Sequence, residues 1–129
     1  MANSVDDLWG STIFPTAGEG SPLGLLLQQA GYLAEKTQGV VAADVVTSGL
    51  PDGAFLHSFD LVVPALDGVV YTLFRVRASL DGYPARVSWQ DRWHEAKDLN
   101  ELTGLVKTIL RDDGTRRKVS QLMAMVSRA

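Results

Sequence analysis

Apolar residues recur at spacings of three and four between residues 21 and 37, alternate with polar ones from Val40 to Ala96, and return to spacings of three and four after Asp98. A period near 3.6 marks a helix with one buried face and a period of two marks a strand, so the order is helix, sheet, helix. In the first helical stretch Ser21 suits a cap, Pro22 suits the first helical position, and Leu23, Leu26, Leu27, Ala30, Leu33, Ala34 and Thr37 form the stripe. Gly24 and Gly31 each cost up to about 1 kcal/mol against alanine, so this helix depends on tertiary packing.

The alternating region divides at turn signals: "LPDG" at residues 50–53, "LDG" at 66–68 and again at 80–82, and "QDR" at 90–92. Between them lie strands near residues 40–49, 54–66, 69–79, 83–89 and 93–96. Connections this short pair neighbouring strands antiparallel, because a parallel crossover needs a dozen or more residues. Strict alternation puts Phe55, His57, Phe59, Leu61 and Val63 on one face of the second strand. In the third it puts Thr72, Phe74, Val76 and Ala78 on one face and Tyr71, Leu73, Arg75 and Arg77 on the other.

Beyond the sheet, Asp98 and Glu101 stand in capping-box spacing ahead of Leu99, Leu102, Val106, Ile109 and Leu110. The stretch "RDDGTRRKVS", residues 111–120, then offers a choice. One unbroken helix would set Asp112 and Asp113 four residues before Arg116 and Arg117, the favourable order. Gly114 suits a left-handed stop, however, and Thr115 a new cap, so we place a break at Gly114 before a last helix carrying Val119, Leu122, Met123 and Val126. Arg116, Arg117 and Lys118 then oppose the dipole of that helix at about 0.3 to 1 kcal/mol each when exposed. They form a basic knob that local stability does not explain.

The fold expected is α+β: an antiparallel four- to five-stranded meander sheet with one N-terminal and two C-terminal helices packed on it. Residues 1–20 lack either period and are read as an arm, flexible or packed on a partner through Trp9, Ile13 and Phe14; residues 21–129 form one α+β domain. The second strand is apolar on both sides, which calls for cover on the far face from the arm, a helix or another copy of the chain.

Composition narrows the chemistry. The 129 residues contain no cysteine, which removes thiolate nucleophiles, Cys-based zinc sites and disulfides. No apolar run is long enough for a membrane span, and the acidic start lacks the features of a signal peptide, so the expected location is cytoplasmic. Charge is unevenly spread: one cation against eight acids before Arg75, then eleven cations against seven acids, for a net −3. Such polarity can steer a charged partner.

Each candidate site has a plainer explanation. "GEGSPLG" (18–24) lacks a preceding strand, a dinucleotide spacing and a Walker lysine. His57 and His94 are the only histidines, and their acidic neighbours in sequence alternate to opposite strand faces, so both are read as structural and no metal is expected. No G-x-S-x-G elbow is present, and nearly all carboxylates serve turns and caps, leaving no catalytic residue to nominate. Tyr71, Arg75, Arg77 and Arg86 could together offer an aromatic, basic face to single-stranded nucleic acid, but a sequence pI near 5.2 argues against it. Trp89 and Trp93 flank a tight turn, where mutual packing is favoured over recognition. "LMAM" (122–125) is read as core filling.

These observations favour a non-enzymatic protein-interaction module, such as an adaptor, chaperone-like or neutralising protein, with no cofactor. Its partner-binding residues are expected to be Trp9, Phe14, Arg75, Arg77, Trp93, Arg116, Arg117 and Lys118, with homo-oligomerisation a further expectation. The alternative is a small-molecule sensor or enzyme whose pocket between sheet and helices draws on Asp60, His57 or Arg75; the third is a weak nucleic-acid binder using the basic sheet face.

Overall fold

Five strands pair in chain order, each antiparallel to the next, as their short connections require. The computed structural model describes residue 8 and residues 20–127, so the expectations for Trp9, Ile13 and Phe14 lie outside the described residues. The elements are α1 (Pro22–Lys36), β1 (Ala42–Gly49), β2 (Phe55–Val63), β3 (Val69–Ala78), β4 (Ala85–Trp89), β5 (Arg92–Ala96), α2 (Leu99–Arg111) and α3 (Asp113–Ser127). This is the α+β meander, with one N-terminal and two C-terminal helices flanking the sheet.

All three helices share one face of the sheet. Leu26 of α1, Leu102, Val106 and Ile109 of α2 and Leu122 of α3 join Phe59, Leu61, Val63, Phe74, Val76, Ala85, Val87 and Ala96 in a single buried cluster. Phe59 and Phe74, cross-strand partners, stack with centroids 5.0 Å apart.

Local chemistry sets the element ends. Ser21 Oγ accepts from the Gly24 N–H at 3.0 Å and caps α1. Asp98 Oδ1 accepts from the Glu101 N–H at 2.9 Å, while Glu101 Oε1 reaches back to the Lys97 N–H at 2.8 Å, a capping box displaced by one residue. Pro64 cannot donate to a ladder, so β2 stops at Val63 and a short 3-10 turn, Pro64–Leu66, replaces the longer strand expected from the pattern. Gly82 combines φ of +94° with the approach of Pro22 Cδ, which would lie 3.3 Å from an added Cβ. Tyr83 fastens the same corner by donating its hydroxyl to the Gly20 carbonyl at 2.8 Å.

The start of β1 is tied to α1 through Thr37, which is only 5% exposed. Its Oγ1 lies 2.7 Å from the Val41 carbonyl oxygen and 3.0 Å from that of Leu33, and it accepts from the Val41 N–H at 3.2 Å. The Leu33 carbonyl also receives the Thr37 N–H at 3.1 Å, so the hydroxyl proton is best spent on Val41.

Three expectations are corrected. The helical break falls at Asp112, whose extended ψ of 141° ends α2, and not at Gly114. The Asp112 carboxylate accepts from the Gly114 N–H at 2.9 Å and its carbonyl from the Arg116 N–H at 3.1 Å, so Asp112 opens α3. Thr115 is thereby a buried helical residue rather than a cap, and its hydroxyl donates to the Ile109 carbonyl at 2.6 Å, near the C-terminus of α2.

The second correction lies in β3. Phe59 pairs with Phe74, but Asp60 pairs with Thr72, so Leu73 is an extra residue and a bulge. Leu73 and Phe74 are consequently both buried. Ahead of the bulge the alternation is inverted: Thr72 falls on the open face beside Asp60, and Tyr71 on the helix face opposite Leu61.

The third concerns the tryptophans. The β4–β5 connection is Gln90–Asp91, both with positive φ, and places Trp93 opposite Ser88. Trp89 packs against the core on the helix face, whereas Trp93 faces the other way, so the two do not pack together.

Candidate functional site: a cationic groove over the sheet

The two C-terminal helices and α1 do not close completely over the sheet. Between them lies a groove of about 780 Å³. Its floor is Phe59 and Leu61 of β2 and Leu73, the bulge residue of β3. Its walls are Tyr32 and Leu33 from α1, Val106 and Leu110 from α2, and Val119 and Met123 from α3. Phe59 and Leu61 are 1% exposed, so the groove narrows to a slit at its base. Accessible apolar surface is therefore at the mouth, chiefly on Tyr32, Leu33, Leu110, Val119 and Met123.

The mouth carries Lys36, Lys107, Arg111 and Arg116, and among the described residues that line it there is no Asp or Glu. Helical spacing explains this clustering. Lys107 and Arg111 are four apart on α2 and so share a side of it. Lys36 sits in the last turn of α1 and Arg111 in that of α2, positions where the helix dipole favours cations. The break at Asp112 then turns the chain so that Arg116 arrives at the same opening. In a molecule of net charge −3, an apolar trough whose charged lining residues are all cationic is a local reversal of the average.

The three cations of the expected knob separate. Arg116 belongs to the groove, while Arg117 and Lys118 line a second recess of about 500 Å³ with Val70, Tyr71, Gly114, Gln121 and Leu122. Lys118 Nζ lies 5.6 Å from the Tyr71 ring centroid. It also lies with an Arg117 guanidinium nitrogen and Asp112 Oδ2 within 4.0 Å of where a Cβ of Gly114 would be. The acidic cap thus offsets part of the charge that opposes the helix dipole.

The pocket expected to draw on Asp60, His57 or Arg75 is not formed by them, for none lines the groove. His57 is buried against β1, its Nδ1 2.8 Å from Thr47 Oγ1, and burial lowers its pKa. Asp60 and Arg75 lie on the opposite, open face of the sheet. The inversion at Leu73 also separates Tyr71 from Arg75, Arg77 and Arg86, so the aromatic, basic face proposed for nucleic acid is not assembled as expected. Arg77 pairs with Asp52, whose other carboxylate oxygen holds the Ala54 N–H of the β1–β2 turn. Trp93 is exposed on the open face.

Lys36, Lys107 and Arg111 were missed as site residues from sequence. The available signal was the four-residue interval between Lys107 and Arg111 on an amphipathic helix; the convergence of α1 and α3 on it has no local signature. Among the described residues no group of three or more His, Asp or Glu could hold a metal ion. No family model, curated protein or solved structure matches this chain.

Proposed function

We propose that this protein is a binding module that receives an acidic, apolar-faced segment of a partner protein in the groove between α1 and the α2–α3 pair. The supporting observation is the ring of Lys36, Lys107, Arg111 and Arg116 around an apolar mouth with no carboxylate among its described lining residues. A partner helix laying apolar side chains along Leu33, Leu110, Val119 and Met123 would set its acidic flanks against that ring. The narrow floor favours this mode over enclosure of a small ligand, because Phe59 and Leu61 leave little surface to contact. Met123 adds an unbranched side chain able to adjust to the incoming surface.

The test uses a fluorescent amphipathic peptide with Leu and Phe on one face and Glu elsewhere, titrated against the full chain at low and physiological salt. Binding should weaken with salt and fall at least about tenfold, equivalent to about 1.4 kcal/mol, in the Lys107→Glu, Arg111→Glu double variant. The Arg117→Glu, Lys118→Glu variant, altered in the neighbouring recess, should lose much less. Failure of the acidic peptide to bind at low salt, or equal losses in the two double variants, refutes the proposal.

A further inference from the structure

The sheet face opposite the helices presents a second surface, independent of the groove. The register assigns to it Ala42, Asp44, Val46 and Ser48 of β1; Leu56, Ser58, Asp60 and Val62 of β2; Val70, Thr72, Arg75 and Arg77 of β3; and Arg86, Ser88, Trp93 and Glu95 of the last two strands. No described helix covers it. Val46, Val70 and Trp93 are left 49%, 57% and 54% exposed, more apolar surface than a solvated sheet face needs.

Charge on this face is segregated except for Glu95 on the edge strand, the cross-strand partner of Arg86. Asp44 and Asp60 are direct cross-strand partners at one corner, and Arg75, Arg77 and Arg86 gather at the diagonally opposite one, Arg77 being the partner of Arg86. Like charges directly opposite destabilise a sheet; Arg77 is offset by Asp52 and Arg86 faces Glu95, so the uncompensated charges are the Asp44–Asp60 pair and Arg75. Ser58 and Thr72 both donate to Asp60 Oδ1 at 2.7 Å, and among the described residues none bonds Oδ2. Arg75 and Arg86 have no ion pair among the described residues.

We propose that this face is the interface of a homodimer, with a two-fold axis lying in the interface between β2 and β3. Asp60 and Arg75 sit one strand and two residues apart, roughly 8 Å from strand spacing and rise. A two-fold axis crossing that diagonal at its midpoint sets Asp60 of one copy on Arg75 of the other, and brings Asp44 to Arg77. Each contact occurs twice, as an isologous interface requires. Strand lengths and spacing give the face roughly 600 Å² in projection. Two copies together remove on the order of 1,200 Å², the lower end for a specific interface.

The proposal is tested by sedimentation of the full chain from micromolar to millimolar concentration. Wild type should shift towards twice the 14.0 kDa of one chain. Arg77→Glu and Asp44→Arg should each weaken self-association by about tenfold or more, because each places like charges across the axis twice. Mixed in equal amounts, the two variants should regain a dimer, since both contacts between positions 44 and 77 of unlike copies are then opposite in sign, one native and one reversed. Asp60 is left intact because it holds two hydroxyls, and unchanged circular dichroism melts establish that each variant folds. A wild type that stays monomeric throughout overturns the proposal. So does a dimer indifferent to both reversals, or one that mixing fails to restore.

Discussion

Replacing Thr37 with valine keeps the shape of a buried side chain and removes only its hydroxyl. That hydroxyl is the hydrogen-bond partner of both the N–H and the carbonyl of Val41, a fully buried residue between α1 and β1. Valine leaves both groups without it, and each buried orphan costs about 1 to 3 kcal/mol, so about 2 to 6 kcal/mol should be lost in total. Thr37→Ser keeps the hydroxyl and gives up one methyl, at about 0.8 kcal/mol. For a domain of this size 1 kcal/mol corresponds to roughly 3 to 4 °C in Tm, so the valine variant should melt at least about 6 °C below wild type. Urea unfolding followed by tryptophan fluorescence, checked for an unchanged m-value, gives the free energies directly. A valine variant within about 0.5 kcal/mol of wild type, or a serine variant as damaged as the valine one, would show that the hydroxyl does not join these elements.

Two further outcomes follow from buried or strained positions. Burial lowers the pKa of His57 in the folded state below its unfolded value near 6.5, so the unfolded chain binds more protons as pH falls through that range. This group leaves stability unaffected well above about pH 6.5 and removes it progressively below, at no more than about 1.4 kcal/mol per pH unit; denaturation of wild type and His57→Gln between about pH 5 and 7 should show a shallower slope in the variant, and equal slopes would exclude this origin. Gly82→Ala should lower stability by about 1 to 3 kcal/mol through its positive φ and the contact with Pro22, whereas Gly104→Ala, mid-helix with open space around it, should raise it by up to about 1 kcal/mol. Thermal melts that rank the two variants the other way would contradict both assignments.

What was legible in the sequence followed from short-range rules. Ser21, Asp98 and Glu101 cap where their types and spacing indicate, and brief turns dictate antiparallel neighbours. Asp112 took the capping role expected of Thr115 because a cap is chosen by which oxygen the turning backbone meets, and the Thr115 hydroxyl was engaged by the Ile109 carbonyl. Thr37 read as one more member of an apolar stripe, although its role is polar. The groove was illegible for a different reason: Lys36, Lys107 and Arg116 come from three helices, and only packing on a common sheet brings them together.

The extra residue at Leu73 matters beyond the strand that contains it. It works as a parity switch: Tyr71 beside α3 and Thr72 beside Asp60 owe their addresses to the bulge that takes up this position, not to their own identities. Deleting Leu73 would leave both tenants and every residue from Phe74 onward in their present pairings and take away only the second buried side chain, part of the groove floor. A one-codon loss in this strand therefore opens the trough from below while the opposite surface keeps every side chain it has.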